Sequence, residues 1–344
     1  MKAARLHEYH QQLRLDEIGE PGIVAPHDVI VTVGGAGLCR TDLHIQEGQW
    51  AEKSGVRLPY TLGHENAGWV HEVGSAVEIV KPGDTVIVHP LITCGLCRAC
   101  RAGDDVHCAN NLFPGISVDG GFAELLKTTA RSIVKLEPTL HPRDIAALAD
   151  AGLTAYHAVK KAAPTLYPGT RALVIGAGGL GHIGIQCLKA LTPAEIIAID
   201  PSEEALAVAA EGGADRTVTV DGKHVDTVLE MTDGKGVEAV LDFVGERGAI
   251  EDGVAMLRDA GSYYVIGYGE NINVPTIEII SREINFIGNL VGSYNDLEEL
   301  MTLTAQGKVS LHTSIYALDA VNDAMADLDQ GRLHGRGILV ADGV

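Results

Sequence analysis

The sequence predicts an α/β protein of two domains, an antiparallel barrel-type domain and a doubly wound parallel sheet. Two observations carry this prediction. Short β-type runs punctuated by Gly, Pro and Asp fill the first part of the chain, whereas strands and helices alternate after about residue 150. The length of 344 residues is sufficient for two cores, and 46% apolar residues with 41 glycines suit an α/β enzyme.

The elements follow in chain order from apolar runs and turn residues. In the first part, strands are predicted at 29–33, 67–73, 85–89 and 122–126. In the second part, strands are predicted at 171–175, 196–199, 238–242, 262–266 and 284–288, with helices to about residue 191 and at 202–211, the latter capped by Ser202. From Asn295 onward we expect helix, strand, helix and strand, ending near Ala341.

Composition narrows the function. A net charge of −20, with 26 scattered Lys and Arg residues, argues against nucleic-acid binding. We see no apolar run near the ~18 residues that span a bilayer and no secretory leader behind Met1. Six cysteines, four of them clustered, do not resemble a secreted disulfide framework. These features predict a cytoplasmic protein with reduced thiols that binds neither membrane nor nucleic acid.

Four cysteines form a C-x2-C-x2-C-x7-C run, at Cys94, Cys97, Cys100 and Cys108. Four thiolates suit tetrahedral Zn²⁺, and two-residue gaps let sulfurs from one loop reach an ion about 2.3 Å away. Two disulfides, an iron–sulfur cluster or four unrelated thiols are the alternatives. A site closed by four thiolates has no vacant ligand position, so we expect it to be structural.

A glycine-rich turn follows the strand predicted at 171–175. Gly176, Gly178 and Gly181 form G-x-G-x-x-G with Gly179 and Leu180 between them, and the motif opens a helix whose free N–H groups suit a pyrophosphate. Asp200 closes the second strand, near the offset of about 20 residues expected for the acid that binds the adenosine ribose. A carboxylate there repels a 2′-phosphate, which favours NAD over NADP. Alternatively, Asp200 only caps the next helix.

Two further motifs precede the four cysteines. Cys39 is followed by Arg40-Thr41-Asp42-Leu43-His44, and Gly63-His64-Glu65-Asn66-Ala67-Gly68 comes after it. The order of cysteine, G-H-E-x-x-G, four-cysteine run and G-x-G-x-x-G resembles that of the zinc-dependent medium-chain alcohol dehydrogenases. The resemblance covers the whole chain and is greatest to the bacterial NAD-dependent secondary-alcohol dehydrogenases.

The resemblance implies a GroES-like catalytic domain at 1–151 and 293–344 and a Rossmann NAD domain at 152–292. It implies two Zn²⁺ per subunit, a catalytic zinc held by Cys39, His64 and Asp150 and a structural zinc held by the four clustered cysteines. Glu65 resembles a transient zinc ligand, and Asp42 a carboxylate that orients His64. Asp150 stands where the animal liver-type enzymes have cysteine, and many enzymes of the aspartate type lack the four-cysteine segment.

The resemblance also implies roles around the cofactor. The metal acidifies the alcohol, hydride passes to the nicotinamide, and Thr41 and His44 relay the proton. The implied cofactor-binding residues are Arg40, Thr154, Gly176, Gly178, Gly179, Leu180, Gly181, Asp200, Ile266, Gly267, Asn289, Val291 and Arg336.

The sequence predicts the substrate less specifically than it predicts the metal and cofactor sites. Trp50, Pro90 and Leu112-Phe113 are candidate pocket walls, and Tyr294 is a candidate wall contributed by a neighbouring subunit of a homotetramer. Apolar walls favour an apolar or aromatic secondary alcohol. The alternatives are a polyol or threonine dehydrogenase of the same superfamily, a zinc-free reductase, and a nucleotide-binding protein that has lost catalysis.

Overall fold

The computed structural model describes residues 1–333 and 335–341, and the chain divides into two compact units. Unit 1 comprises Met1–Ala151, Ser293–Ala305 and Ser310–Val344, and unit 2 comprises Gly152–Gly292 and Gln306–Val309. The strands are β1 (Lys2–Leu6), β2 (Arg14–Glu17), β3 (Asp28–Gly37), β4 (Tyr60–Thr61), β5 (Glu65–Val73), β6 (Thr85–Val88), β7 (Leu125–Thr129), β8 (Ile133–Lys135), β9 (Arg171–Ile175), β10 (Glu195–Asp200), β11 (Arg216–Thr219), β12 (Val237–Asp242), β13 (Leu257–Val265), β14 (Asn285–Gly288), β15 (Thr313–Ala317) and β16 (Arg336–Val340). The helices are α1 (Arg40–Gln46), α2 (Ala51–Ser54), α3 (Arg98–Arg101), α4 (Pro142–Ile145), α5 (Ala151–Ala162), α6 (Gly181–Leu191), α7 (Glu203–Glu211), α8 (His224–Met231), α9 (Ala249–Met256), α10 (Thr276–Arg282), α11 (Tyr294–Ala305) and α12 (Val321–Asp329).

Unit 1 is built on antiparallel sheets, as the sequence predicts. One sheet has the order β15-β16-β3-β5-β6-β8, with β7 also pairing with β3, and a smaller sheet has the order β2-β1-β4. The β15–β16 pair is parallel, and the other pairs in these sheets are antiparallel. The GroES-like class expected for this part of the chain is confirmed.

Two glycines bend β3, the strand that leads to Cys39. The register with β5 shifts between Val33 and Gly35. A Cβ on Gly34 would lie 2.7 Å from the side chains of both Trp69 and Pro142, so a larger residue would be excluded there. The irregularity curves the strand around its partners, and β3 then runs on to end at Gly37, just before Cys39.

The strand predicted at 122–126 is wrong by three residues, because β7 begins at Leu125. Phe122 is fully buried, and it lies in a loop rather than in the ladder. Its N–H donates to the Leu62 carbonyl at 2.9 Å, and its carbonyl accepts from Ala4 at 2.7 Å. The apolar character of this position therefore reflects packing in the core and not strand pairing.

Unit 2 is a single parallel sheet with the order β11-β10-β9-β12-β13-β14. The central strand β9 is almost wholly buried, as expected when helices cover both faces of a parallel sheet. The predicted strands are confirmed in this unit, and so is the cap of α7, where the Ser202 hydroxyl accepts from Ala205 N–H at 3.2 Å. β11 is absent from the predicted strands because Val218 is the only buried residue in it.

Each unit has its own apolar core. In unit 1 the cluster includes Leu6, Phe122 and Leu126, and in unit 2 it includes Leu173 and Tyr263. Each large apolar side chain that is fully buried contributes roughly 1.5–3 kcal/mol to folding. Among the described residues, every helix is too short or too polar to span a bilayer.

Candidate metal centres and dinucleotide site

The cysteine lobe, residues 94–108 of unit 1, brings its four sulfurs together. The Sγ atoms of Cys94, Cys97, Cys100 and Cys108 all lie within 4.8 Å of one another. Cys97 and Cys100 are 3.5 Å apart and Cys94 and Cys100 are 4.0 Å apart. These distances bracket the edge of about 3.8 Å that a tetrahedron with 2.3 Å zinc–sulfur bonds requires. The donor set therefore fits a closed zinc site.

Backbone amides stabilise the thiolates of the cysteine lobe. Cys94 N–H donates to Cys108 Sγ at 3.3 Å, while Cys97 N–H donates to Cys94 Sγ and Asn110 N–H to Cys108 Sγ, both at 3.4 Å. The backbone N–H of Cys100 lowers the pKa of Cys97 to about 6, whereas burial raises the pKa of Cys100 to about 12. All six cysteines of the chain are free thiols.

The Cys39 site, defined here as Cys39, His64, Glu65 and Asp150, is assembled from separate parts of unit 1. One ligand atom of each residue lies within 4.8 Å of the others. Cys39 is the N-cap of α1, His64 immediately precedes β5, Glu65 is the first residue of β5, and Asp150 immediately precedes α5. His64 Nε2 is 3.6 Å from Asp150 Oδ2, and the His64 side chain is 1% exposed.

A cation at the Cys39 site would give a partner to a buried polar atom of Asp150. Within the described part of the chain, Asp150 Oδ1 is buried without a hydrogen-bond partner. A thiolate, an imidazole and a carboxylate form a donor set that zinc accepts. Burial also raises the pKa of the Asp150 carboxyl. The residues therefore fit a zinc ion with three protein ligands and one further position.

Asp42 lies beside His64, on the side of the ring opposite Asp150. Asp42 Oδ1 lies 3.4 Å from His64 Nδ1, which leaves Nε2 facing Asp150. Its other oxygen accepts from Cys39 N–H at 2.9 Å, so one carboxylate lies against two residues of the Cys39 site. Burial lowers the pKa of the His64 imidazole, but the Asp42 carboxylate outweighs this effect and the pKa lies well above 6.5. A metal at Nε2 would take the place of that proton.

Glu65 is held by Arg336, a contact that the sequence does not predict. Arg336 Nη2 lies 2.6 Å from Glu65 Oε1 and 2.5 Å from Oε2, and both side chains are buried. Burial raises the pKa of Glu65 to about 7, and the guanidinium of Arg336 opposes that rise. The phosphate contact expected of Arg336 stays a prediction, because the structure gives this residue a carboxylate partner instead.

The glycine-rich turn of unit 2 has the geometry of a pyrophosphate cradle. Gly176 has φ of +85°, and a Cβ on Gly181 would collide with the Gly176 carbonyl. A Cβ on Gly178 would meet no atom within 4 Å, so the space beside this glycine is open to a ligand at the start of α6. Asp200 Oδ2 accepts from Ala177 N–H at 2.8 Å and Oδ1 from Ser202 N–H at 2.8 Å, which fixes the carboxylate beside the turn.

The residues expected near the nicotinamide lie at the carboxyl ends of β13 and β14, where parallel sheets bind ligands. The N–H groups of Ile266 and Gly267 both donate to the Asp242 carbonyl, and Asn289 N–H donates to the Val265 carbonyl. Val291 has φ of +48°. Thr154 lies on α5, and Gly179 and Leu180 complete the turn before α6. Their contacts with a cofactor stay predictions.

Arg40, Thr41 and His44 lie on α1, directly after Cys39. Thr41 and His44 are three residues apart, so they share one face of the helix. Arg40 is exposed. The expected relay residues thus lie directly after Cys39, and the proton path stays a prediction.

The candidate substrate walls lie in unit 1. The Phe113 ring stands edge-on to His64, with ring centroids 5.9 Å apart, and Trp50 packs against the core. Tyr294 forms hydrogen bonds within its own unit. Its N–H donates to Asp105 Oδ1 and its hydroxyl donates to the Ile133 carbonyl, both at 3.0 Å. Pro90 is buried and Leu112 is 47% exposed.

Comparisons with known proteins agree with both units. Residues 25–138 match the model of the alcohol dehydrogenase GroES-like domain, and residues 179–306 match that of the zinc-binding dehydrogenase. An NAD-dependent alcohol dehydrogenase of Sulfolobus acidocaldarius is 37% identical, over 98% of this chain and 99% of that protein. A D-arabinose 1-dehydrogenase (NADP(+)) of Saccharolobus solfataricus is 35% identical, over 98% and 97%. The crystal structure of the alcohol dehydrogenase from Aeropyrum pernix superposes with a TM-score of 0.95 at 48% identity, covering 99% of this chain and 100% of that one.

Proposed function

The chain belongs to the zinc-binding alcohol dehydrogenase family, and from this premise we propose that it interconverts alcohols with ketones or aldehydes using NAD. The observation that carries the proposal is the Cys39 site, where a thiolate, an imidazole and a carboxylate converge. There, a buried oxygen of Asp150 has no hydrogen-bond partner among the residues that the structure describes. The zinc-free reductases and a protein without catalysis would not need this set.

Cys39, His64 and Asp150 would hold the reactive zinc, and the cysteine lobe would hold a second, structural zinc. The reactive ion, when bound, supplies Lewis acidity that lowers the pKa of the substrate hydroxyl. One thiolate and one carboxylate balance its two positive charges, so the site does not repel an anionic substrate oxygen. Asp42 contributes by fixing the His64 ring.

The dinucleotide would bind in unit 2. When bound, its nicotinamide would supply the group that accepts or donates hydride. The open space at Gly178 and the first turn of α6 suit a pyrophosphate, and the Asp200 carboxylate suits an unphosphorylated ribose. Because the D-arabinose dehydrogenase relative is named for NADP, cofactor choice needs its own test. We expect NADH to exceed NADPH in catalytic efficiency, and Asp200→Ala to narrow that difference.

Further cofactor contacts are proposed on position alone. Arg40 would bind the pyrophosphate, and Arg336 would be a second phosphate contact in addition to its bonds to Glu65. The end-of-strand residues Ile266, Gly267, Asn289 and Val291, with Thr154, would line the nicotinamide. Backbone groups would make most of the polar contacts. Alanine substitution at Arg40 should raise KM for NADH without changing zinc content.

Thr41 and His44 would move the substrate proton toward solvent. An imidazole with its usual pKa near 6.5 exchanges protons close to neutrality, which suits the last position of such a path. His44→Gln should lower turnover mainly at low pH, and added buffer base should restore it. An unchanged pH–rate profile would count against the relay.

We propose an apolar or aromatic secondary alcohol as substrate, because the Phe113 ring packs against His64 and Trp50 lies on the same apolar core. The D-arabinose dehydrogenase relative supports a second candidate, a polyol or sugar dehydrogenase. The deciding experiment is NADH-dependent activity on a panel of 2-butanol, 1-phenylethanol, sorbitol, threonine and D-arabinose, with metal analysis of the same sample. Two zinc ions per chain and preference for the first two substrates are expected. Activity confined to the hydroxyl-rich substrates would reject the proposed substrate class.

We also propose a cytoplasmic homotetramer. Four of the six cysteines lie in one cluster with metal-ligand spacing, unlike a secreted disulfide framework, and this supports a reducing compartment. The tetramer rests on the family resemblance alone, and light scattering after size-exclusion chromatography tests it directly.

A further inference from the structure

Asp242, the last residue of β12, has a fully buried carboxylate with three hydrogen-bond donors. Its Oδ1 accepts from the N–H groups of Val244 at 2.8 Å and Gly245 at 3.0 Å. Its Oδ2 accepts from the Tyr263 hydroxyl at 2.8 Å. Burial raises the pKa of the Asp242 carboxyl, and these three donors oppose that rise. The donors therefore compensate a buried polar group that would otherwise destabilise the fold.

β12 lies beside β9 in the sheet of unit 2, at the point where the strand order reverses. β10 and β11 lie on one side of β9, and β12, β13 and β14 lie on the other. Asp242 pairs with Ile175, the last residue of β9, and the Phe243 N–H donates to the Ile175 carbonyl at 3.0 Å. Parallel sheets bind ligands at the carboxyl ends of the strands at such a reversal. The Asp242 side chain therefore fixes backbone directly beside the glycine-rich turn.

The β12 turn, residues 243–245, is packed between two turns that are expected to contact the dinucleotide. A Cβ on Gly176 would lie 2.6 Å from Val244 Cγ2, so the valine side chain fills the space beside the glycine-rich turn. A Cβ on Gly267 would collide with the backbone of Val244, and a Cβ on Gly245 would collide with the Gly267 carbonyl. A shift of the β12 turn would therefore displace at least one of its neighbours.

The Asp242 backbone also holds the turn that follows β13. Its carbonyl accepts from Ile266 N–H at 3.0 Å and from Gly267 N–H at 2.9 Å. Beyond these residues, the Glu270 N–H donates to the Gly245 carbonyl at 3.0 Å. One residue thus joins the turns after two neighbouring strands, the β12 turn through its side chain and the turn after β13 through its carbonyl.

Resting on the proposed function, we propose that Asp242 is a positioning residue for the dinucleotide. Its Oδ1 holds the β12 turn against the glycine-rich turn, so that both turns are in place in the free protein. Without this acceptor, two backbone N–H groups would lose their partner, and the β12 turn would adopt other conformations. The apparent Kd for NADH would then rise in inverse proportion to the fraction of molecules that keep the turn in place.

The test compares Asp242→Ala and Asp242→Asn with wild type, each as the full chain with its metal. Fluorescence titration gives the Kd for NADH, and hydrogen-exchange mass spectrometry gives the deuterium uptake of peptides that span the β12 turn. Asp242→Ala removes the acceptor, so the Kd should rise about 10-fold or more and uptake should quicken. Asp242→Asn keeps an oxygen for both N–H groups and can donate its NH₂ to the Tyr263 hydroxyl, so both quantities should stay close to wild type.

Tyr263→Phe is the matched control for a merely structural role. It leaves Asp242 Oδ2 without the hydroxyl donor and should lower the unfolding temperature, whereas the Oδ1 bonds to the β12 turn remain. Its Kd for NADH should therefore stay near wild type. If Asp242→Ala does not fold, Gly245→Ala decides, because its Cβ would collide with the Gly267 carbonyl and displace the same turn.

A wild-type Kd in Asp242→Ala, or in Gly245→Ala where that variant decides, would overturn the proposal. An equal rise of the Kd in Tyr263→Phe would also overturn it, since loss of fold stability would then explain the effect. Binding of NADH by Asp242→Asn as weak as by Asp242→Ala would reject the role assigned to Oδ1 as an acceptor. Binding is measured without turnover, so a wild type that binds NADH but oxidises no alcohol would reject the proposed function and leave this inference intact.

Discussion

The cysteine lobe and the Cys39 site are both four-residue clusters within 4.8 Å, yet they are built in opposite ways. The lobe takes its four cysteines from one short segment, and backbone N–H groups donate to the sulfurs of Cys94 and Cys108. The Cys39 site draws its residues from distant segments, buries His64 and Glu65 almost completely, and has the side chains of Asp42 and Arg336 next to them. A site that only binds a metal can be encoded locally. A site that must leave one position open needs a surrounding fold to shape it.

The largest expected effect is at Cys39. Cys39→Ser removes one of three proposed ligands of the reactive zinc, so turnover should fall below detection and zinc content should fall from two ions to one per chain. The remaining ion should stay in the cysteine lobe, and the unfolding midpoint should change little. Elemental analysis, calorimetry and kcat measured on one preparation test all three. Activity within tenfold of wild type would show that Cys39 is not a ligand.

The opposite pattern is expected in the lobe. Cys108→Ser should release the structural zinc and lower the unfolding temperature by about 10 °C, because metal binding there contributes to folding free energy. Turnover of the protein that remains folded at 25 °C should stay within a few-fold of wild type. Cys187→Ala, a buried thiol of unit 2 outside both clusters, is the matched control and should keep both zinc ions. Equal loss of activity in Cys108→Ser and Cys39→Ser would contradict the assignment of one site as structural and the other as reactive.

A smaller effect is expected at Asp42. It tests whether a side chain, in addition to the backbone fold, supports the Cys39 site. Asp42→Asn keeps the size of the side chain but removes the charge that holds the His64 ring, and a change of this kind costs about 10- to 100-fold in metal affinity or activity. The exposed Asp144 provides the control, since Asp144→Asn should alter neither property. Chelator competition and kcat measure the two effects. Retention of full zinc affinity in Asp42→Asn would mean that the surrounding fold orients the His64 ring without the Asp42 charge.

The same contrast explains which features the sequence could predict. Cysteine spacing and the glycine-rich turn encode short-range geometry, and the apolar runs of β9 and β10 encode burial on both faces of a parallel sheet. The pairing of Glu65 with Arg336 is different, since it joins residues 271 positions apart through strand register. No local pattern at either residue records it. The misplaced strand at Phe122 fails for the same reason, because a buried loop residue and a strand residue look alike in sequence.

The smallest expected effect is at Leu96, between the first two cysteines of the lobe. Its side chain is 73% exposed, and it is the backbone N–H of Leu96 that helps lower the pKa of Cys94. Leu96→Ala keeps that N–H, so zinc content should be unchanged and the free energy of unfolding should shift by no more than about 0.5 kcal/mol. Zinc analysis and chemical denaturation measure both quantities. The lobe is proposed to depend on its backbone, and the Cys39 site on its side chains. A loss of zinc in Leu96→Ala would show that a side chain supports the lobe, and would contradict this difference between the two sites.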